Sequence, residues 1–147
     1  MQNQSVVFRI GNESYGVDVD SVVSIIKMQE ITRVPHAPEF IEGVTNLRGA
    51  VVPILVLRRR FGLPSEKPGP NTRIMIINAD DTHAGLVVDA VTQVVQVPDD
   101  TIEPPPQMAI TANSTFIRGI AKVDGALIIL LDMKRVLTFE EKERVAG

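Results

Sequence analysis

The side chains whose types and spacing could support chemistry are two histidines, several paired aspartates, and an arginine run. His36 lies between Pro35 and Ala37, and His83 follows the turn-like stretch NADDT. Neither has a neighbour at the spacing of a metal-ligand set or a nucleophile–base pair, so both read as surface loop histidines. Asp18 and Asp20 would share one strand face, where two carboxylates can hold a metal or pass a proton. A solvated strand face accounts for them more simply. The pairs in ADD and PDD sit among turn residues, where Asp bonds to nearby backbone. Arg58, Arg59 and Arg60 form the basic run, which reads as a solvated helix face or, alternatively, as a surface for an acidic partner. No G-x-x-x-x-G-K-[ST] or G-x-G-x-x-G stretch offers a phosphate cradle, and no metal site is expected.

Composition narrows the classes. The chain has 147 residues, with 44% hydrophobic residues but only 4% aromatics and no Trp, so its core must be aliphatic and its β-branched content favours strands. Fifteen basic and 18 acidic residues give a net charge of -3, which provides no general attraction for nucleic acid or anionic lipid. Without cysteine there is no disulfide and no thiolate nucleophile. The start MQNQSVVFRI lacks a signal-peptide pattern, and the longest apolar run, ALIILL, is far shorter than the roughly 20 residues that span a bilayer. The chain therefore reads as cytoplasmic and complete, with no direct membrane insertion.

The elements that must position any site are mostly strands. VVFRI, the turn GNES and YGVDVDSVVSII predict a strand, a turn and a second strand, with a helix starting near Asp20 as an alternative for the later half. RVPHAPEF and LPSEKPGPNT read as loop and linker. RIMIIN and the alternating HAGLVVDAVTQVVQVP read as strands. IEPPPQMAITANST is irregular, with PPPQ able to open a short helix, and DMKRVLTFEEKERVAG predicts a terminal helix capped by Asp132 with Met133, Val136, Leu137 and Phe139 on its apolar face. LRRRFG would be its short counterpart, stopped by Gly62.

An internal repeat organises these elements. FIEGVTNLRGAVVPILVLRRRF aligns without gaps on FIRGIAKVDGALIILLDMKRVL at an offset of 76, and YGVDVDSVVSII aligns on AGLVVDAVTQVV at an offset of 69. A duplicated β-rich module of about 65 residues is too small for much core alone, so each copy should lean on the other. Two small linked barrels are expected, over about 6–62 and 73–137, joined by a linker at 63–72 within one domain of 1–147. In each copy LRGA or VDGA reads as a tight hairpin turn whose Gly49 or Gly125 supplies a positive φ.

The repeat also serves as an internal control. Where one turn has Arg48, the other has Asp124, and an Asp-Gly hairpin satisfies all that the local backbone needs. Pro53 likewise stands opposite Ile129, although proline costs a sheet hydrogen bond. Drift after duplication is one account of these departures; a hairpin presenting Arg48 to a partner, or locking a loop between the modules, is the other.

The segment FIEGVTNLRGAVVPILVLRRRFG, together with YGVDVDSVVSII, TRVPHAPEFIEGVTNLRG, AGLVVDAVTQVV and FIRGIAKVDGALIILLDMKRVL, resembles the CheW family of bacterial chemotaxis scaffolds over nearly the whole chain. The resemblance implies an all-β fold of two SH3-like five-stranded barrels with a C-terminal helix, no catalysis and no cofactor. It also implies an adaptor that joins a chemoreceptor cytoplasmic tip to the regulatory domain of a CheA-type histidine kinase, within membrane-associated receptor arrays. The matching groove positions for the receptor are Val22, Ile25, Val91 and Val94, with Arg48 close by. The matching positions for the kinase are Gly43, Gly49 and Val51. One departure stands out: Val56 replaces the Asp that usually begins the short helix in this family. The alternative function is a small-ligand or other interaction module using the cleft between the subdomains; a hydrolase lacks any nucleophile–base pairing.

Overall fold

The computed structural model describes residues 2–37, 40–64, 67–79, 81–104 and 117–135. Alternating apolar residues form eleven strands among these: β1 Gln2–Ile10, β2 Glu13–Asp18, β3 Val22–Lys27, β4 Ile41–Leu47, β5 Ala50–Val56, β6 Arg73–Ala79, β7 Thr82–Val88, β8 Ala90–Pro98, β9 Ile102–Glu103, β10 Ile117–Val123 and β11 Ala126–Leu131. A short helix, α1, covers Leu57–Arg60. The fold is all-β, as the sequence predicts.

The expected second strand over Tyr15–Ile26 is two strands. A 3-10 turn at Val19–Ser21 divides it, and the Asp18 carboxylate accepts the Asp20 N–H at 3.0 Å to hold that turn. The matching alternating segment after His83 divides at Asp89 between β7 and β8. Apolar residues resume directly after both breaks, so composition along the segment does not reveal them.

These two breaks carry the chain between sheets. One sheet has the order β3-β6-β7-β5-β4 and the other β8-β1-β2-β11-β10-β9. Under the duplication, β1 and β2 correspond to β6 and β7, β3 to β8, and β4 and β5 to β10 and β11. The two orders then match strand for strand, apart from the two-residue β9 added to the second. The stretch 63–72 lies between the copies in sequence, whereas each sheet combines the leading hairpin of one copy with the trailing strands of the other, three in one sheet and, with β9, four in the other.

Packing follows the same logic. A central cluster between the sheets contains Val6, Phe8, Tyr15, Leu55, Met75 and Leu86. Each sheet also encloses a cluster of its own, around Ile54, Ile74 and Ile76 in one, and Val7, Val97 and Ile128 in the other. Alternate residues of β1 and β6 serve opposite cores: Val7 and Ile76 point into a sheet's own cluster, Val6 and Met75 into the shared centre. Ile26 on edge strand β3 and Leu47 on edge strand β4 pack on the same small cluster, so the sheet curls back on itself as a barrel does.

Helix α1 ends as LRRRFG predicts. Gly62 takes φ +75, and the Gly62 and Leu63 N–H groups donate to Arg59 O and Arg58 O at 3.1 and 2.7 Å. Its start lacks a side-chain cap, because Val56 has none to offer. Asp132, at the matching place, accepts the Arg135 N–H at 3.4 Å as a helical turn begins at 133–135. The rest of the expected terminal helix, with Val136, Leu137 and Phe139, lies outside the described residues, as do Pro105, Pro106 and Gln107 of PPPQ. Among the described residues no helix is long and apolar enough to cross a membrane.

Candidate partner-binding surfaces

Both long hairpins close in the same way. Arg48 and Gly49 have φ +52 and +86, and Asp124 and Gly125 have +51 and +81, the two left-handed residues of a type I′ turn. The first position of such a turn favours Asn, Asp or Gly. Arg48 therefore occupies a place where an ordinary side chain is strained, whereas the residue pattern alone assigns positive φ only to the glycine. Its guanidinium is exposed and makes no hydrogen bond or ion pair among the described residues. Asn46 Oδ1 accepts the Gly49 N–H at 2.9 Å, so the turn is held without Arg48.

Pro53 has a backbone explanation. Val44 both donates to and accepts from Thr32, at 2.8 Å each, so its polar groups face away from β5 and its pairing with Pro53 needs no hydrogen bond. On the other side, the parallel ladder of β5 with β7 runs only from Ile54 to Val56, whereas β11 pairs with β2 from Ile128 to Leu130. Proline sits just before its ladder begins; Ile129 sits within one. Pro53 thus fits a strand with neighbours on both sides because no ladder bond is asked of it.

The residues matched to the kinase surface differ in setting. Val51 is 71% exposed, large and apolar, two residues beyond the turn. Gly49 is exposed at the tip. Gly43 is buried at a bulge in β4, and a Cβ there would stand 2.1 Å from Thr32 O. Its partner in the repeat, Gly119, also sits at a bulge, with Glu103 O at 2.9 Å from a Cβ. Backbone crowding therefore explains why Gly43 and Gly119 are glycines in both copies.

The residues matched to the receptor surface lie on the edge strands β3 and β8, which correspond under the duplication. Val22 and Val91 are half-buried and each packs against the central cluster. Ile25 and Val94 are exposed, at 43% and 55%. Val23 is exposed on β3 as well, although sequence matching passes over it. Leu127 is missed in the same way: it is 59% exposed at the place in β11 that matches Val51 in β5. The internal repeat holds that signal, since it pairs Val51 with Leu127.

The arginine run is not a free solvated face. Arg58 donates from Nε and Nη2 to both oxygens of Asp89, at 3.1 and 2.6 Å, and from Nη1 to Pro64 O at 3.1 Å. Asp89 Oδ2 also accepts the Gly11 N–H at 2.8 Å. Burial pushes the Asp89 carboxyl up, but the Arg58 hydrogen bonds, the Gly11 N–H and the charges of Arg58 and Arg9 together hold it below its ordinary value. Arg59 pairs with Glu42 at 2.8 Å, tying α1 to β4. Two members of the run are thus engaged within the chain.

Among the described residues no three His, Asp or Glu side chains group as metal ligands. A cavity of about 330 Å³ between the sheets is walled mainly by charged and polar residues, among them Asp18, Asn78, Arg118 and Asp132, with Leu131 and Met133 as its apolar part. A second, of about 230 Å³, lies between Arg58, Asp89 and the linker at 67–72.

Comparison with known proteins places this geometry. The profile of the CheW-like domain matches residues 4–141. The chain is similar to the chemotaxis protein CheW of Klebsiella aerogenes, 35% identical over 92% of this chain and 82% of that one. The Bacillus subtilis protein of the same name is 36% identical over 94% and 88%. Among solved structures, the scaffolding protein TtCheW from Thermoanaerobacter tengcongensis superposes with a TM-score of 0.81 at 40% identity, covering 89% of this chain and 84% of its own.

Proposed function

The chain belongs to the CheW-like domain family of non-catalytic chemotaxis scaffolds, and on that premise we propose that it couples chemoreceptors to a CheA-type histidine kinase. The receptor's cytoplasmic tip docks along the β3 and β8 edges, on Ile25 and Val94 over the half-buried Val22 and Val91. The regulatory domain of the kinase docks on the β4–β5 hairpin, at Gly49 and the exposed Val51, and Gly43 serves that surface by letting β4 bulge. All of 1–147 acts as one unit, in the cytoplasm at receptor arrays.

Arg48 carries this reading. A cation with no partner among the described residues, held in a left-handed turn where the duplicate has Asp124, is a costly choice for folding and a useful one for a partner. Apolar residues beside an arginine are the usual composition of an interface centre. The test is kinase activation in an assembly reconstituted from receptor, kinase and this protein. Arg48→Ala should lower activation while the circular dichroism melt stays unchanged. Full coupling by a folded Arg48→Ala protein removes Arg48 from the interface.

A further inference from the structure

The crossover from β7 to β8 is fastened by Asp89. Asp89 lies between a strand of the five-stranded sheet and an edge strand of the six-stranded one. Its N–H donates to Arg9 O at 3.0 Å and its carboxylate accepts the Gly11 N–H at 2.8 Å, both in the β1–β2 hairpin of the six-stranded sheet. The same carboxylate receives the two-pronged Arg58 from α1, which directly follows β5 in the other sheet. The Arg58 side chain is only 12% exposed, so water competes weakly for this pair. At the duplicate crossover, from β2 to β3, the matching residues are Asp20 and Lys134. Asp20 is exposed and its N–H donates to the Asp18 carboxylate instead.

We propose that Arg58 and Asp89 are positioning residues for partner binding: their ion pair, anchored on the Gly11 amide, sets where β8 and its exposed Val94 lie relative to the β4–β5 hairpin that carries Arg48. Neither residue touches the partner. The chain leaves β5 through α1 and leaves β7 through Asp89, so this one contact fixes the hairpin strand and the receptor-facing edge in a single frame. The inference rests on the receptor surface proposed above, and its assay separates the two.

The test uses the full chain, isotope-labelled for NMR, as wild type, Asp89→Asn, Arg58→Gln and Arg58→Lys. Asp89→Asn should speed exchange of the Gly11 amide about tenfold, the factor that goes with one lost charge-assisted hydrogen bond. The Val91 and Val94 methyl resonances should move, while the Arg48 and Gly49 amides stay in place. Affinity for a receptor-tip helical hairpin should fall several-fold, with Arg58→Lys retaining more of it than Arg58→Gln. Unchanged Gly11 exchange, or unmoved β8 methyls in a variant whose Gly11 amide has opened, overturns the proposal. So does a binding loss that merely tracks a lowered melting midpoint. If wild type binds no receptor hairpin, the functional reading fails, and the exchange and methyl data still decide whether the pair positions β8.

Discussion

Replacing Arg48 with asparagine should make the protein more stable and a worse scaffold. The residue sits at φ +52, in the first left-handed position of a type I′ turn, where Asp124 in the other hairpin sits at +51. A left-handed conformation costs an ordinary residue about 1–2 kcal/mol, and asparagine escapes much of that through local hydrogen bonding. Arg48 makes no hydrogen bond or ion pair among the described residues, so removing its guanidinium forfeits none there. The gain should be about 1 kcal/mol, or roughly 2–4 °C in melting midpoint at this size. Arg48→Ala keeps the strain and should leave stability unchanged, and Arg48→Gly should fall near neutral, because the relief is offset by about 0.5–1 kcal/mol of added chain entropy in the unfolded state. All three should weaken partner binding by about tenfold or more if the arginine is a hot spot. Urea unfolding and binding to an immobilised receptor–kinase assembly read the two effects separately. Destabilisation by Arg48→Asn would show that the side chain serves the fold, and unaltered binding in all three variants would remove the functional argument.

Gly43→Ala should destabilise by about 2 kcal/mol or more, since its Cβ meets the Thr32 carbonyl at 2.1 Å and backbone must move; urea unfolding beside Gly49→Ala, which meets nothing within 4 Å and carries only its turn strain, checks this. Because the Asp89 carboxyl is held below its ordinary value of 3.8, its contribution is fully present above that pH and is lost as pH falls through the lower, folded-state value. Wild type should therefore lose stability more steeply than Asp89→Asn below about pH 4, as measured by urea midpoints against pH. Val56→Asp supplies the cap that α1 lacks and should slow exchange of the Arg59 amide about fivefold, the equivalent of about 1 kcal/mol. Cleavage within the linker at 63–72 should yield two fragments that fold only when mixed, because β1 and β2 pair with β8 and β11 across that boundary; a cooperative melt from either fragment alone would contradict the pairing.

Much of the fold is legible in sequence because strand alternation and the repeat point the same way. The turns at Arg48-Gly49 and Asp124-Gly125, the Gly62 stop and the Asp132 cap all arise from local residue chemistry, and all appear where that chemistry puts them. The exchange of leading hairpins between the sheets is not legible. It depends on breaks at Val19–Ser21 and Asp89, within segments whose apolar residues resume at once on the far side, and on which copy's β11 or β5 lies nearer. The site divides in the same way. Val51 and Arg48 are readable as departures from what a hairpin requires, whereas Gly43 resembles a surface position until Thr32 is seen against it. Arg58 resembles a solvated charge because its partner Asp89 is remote in sequence.

The duplication shows which differences the fold tolerates and which need another cause. Both copies place matching strands in matching orders, keep glycine at both bulges and close both hairpins with the same left-handed pair. Against that common frame, the β4–β5 hairpin and α1 of the first copy depart at Arg48, Pro53, Val56 and Arg58. Pro53 is permitted by a ladder that starts after it, and Val56 leaves a helix uncapped without preventing it. Arg58 is engaged with Asp89. Arg48 alone of the four is neither required by its backbone nor held by a neighbour. A side chain that strains its turn and makes no hydrogen bond or ion pair among the described residues is the one whose reason is best sought in a partner, and the proposed role rests there rather than on the more numerous apolar positions around it.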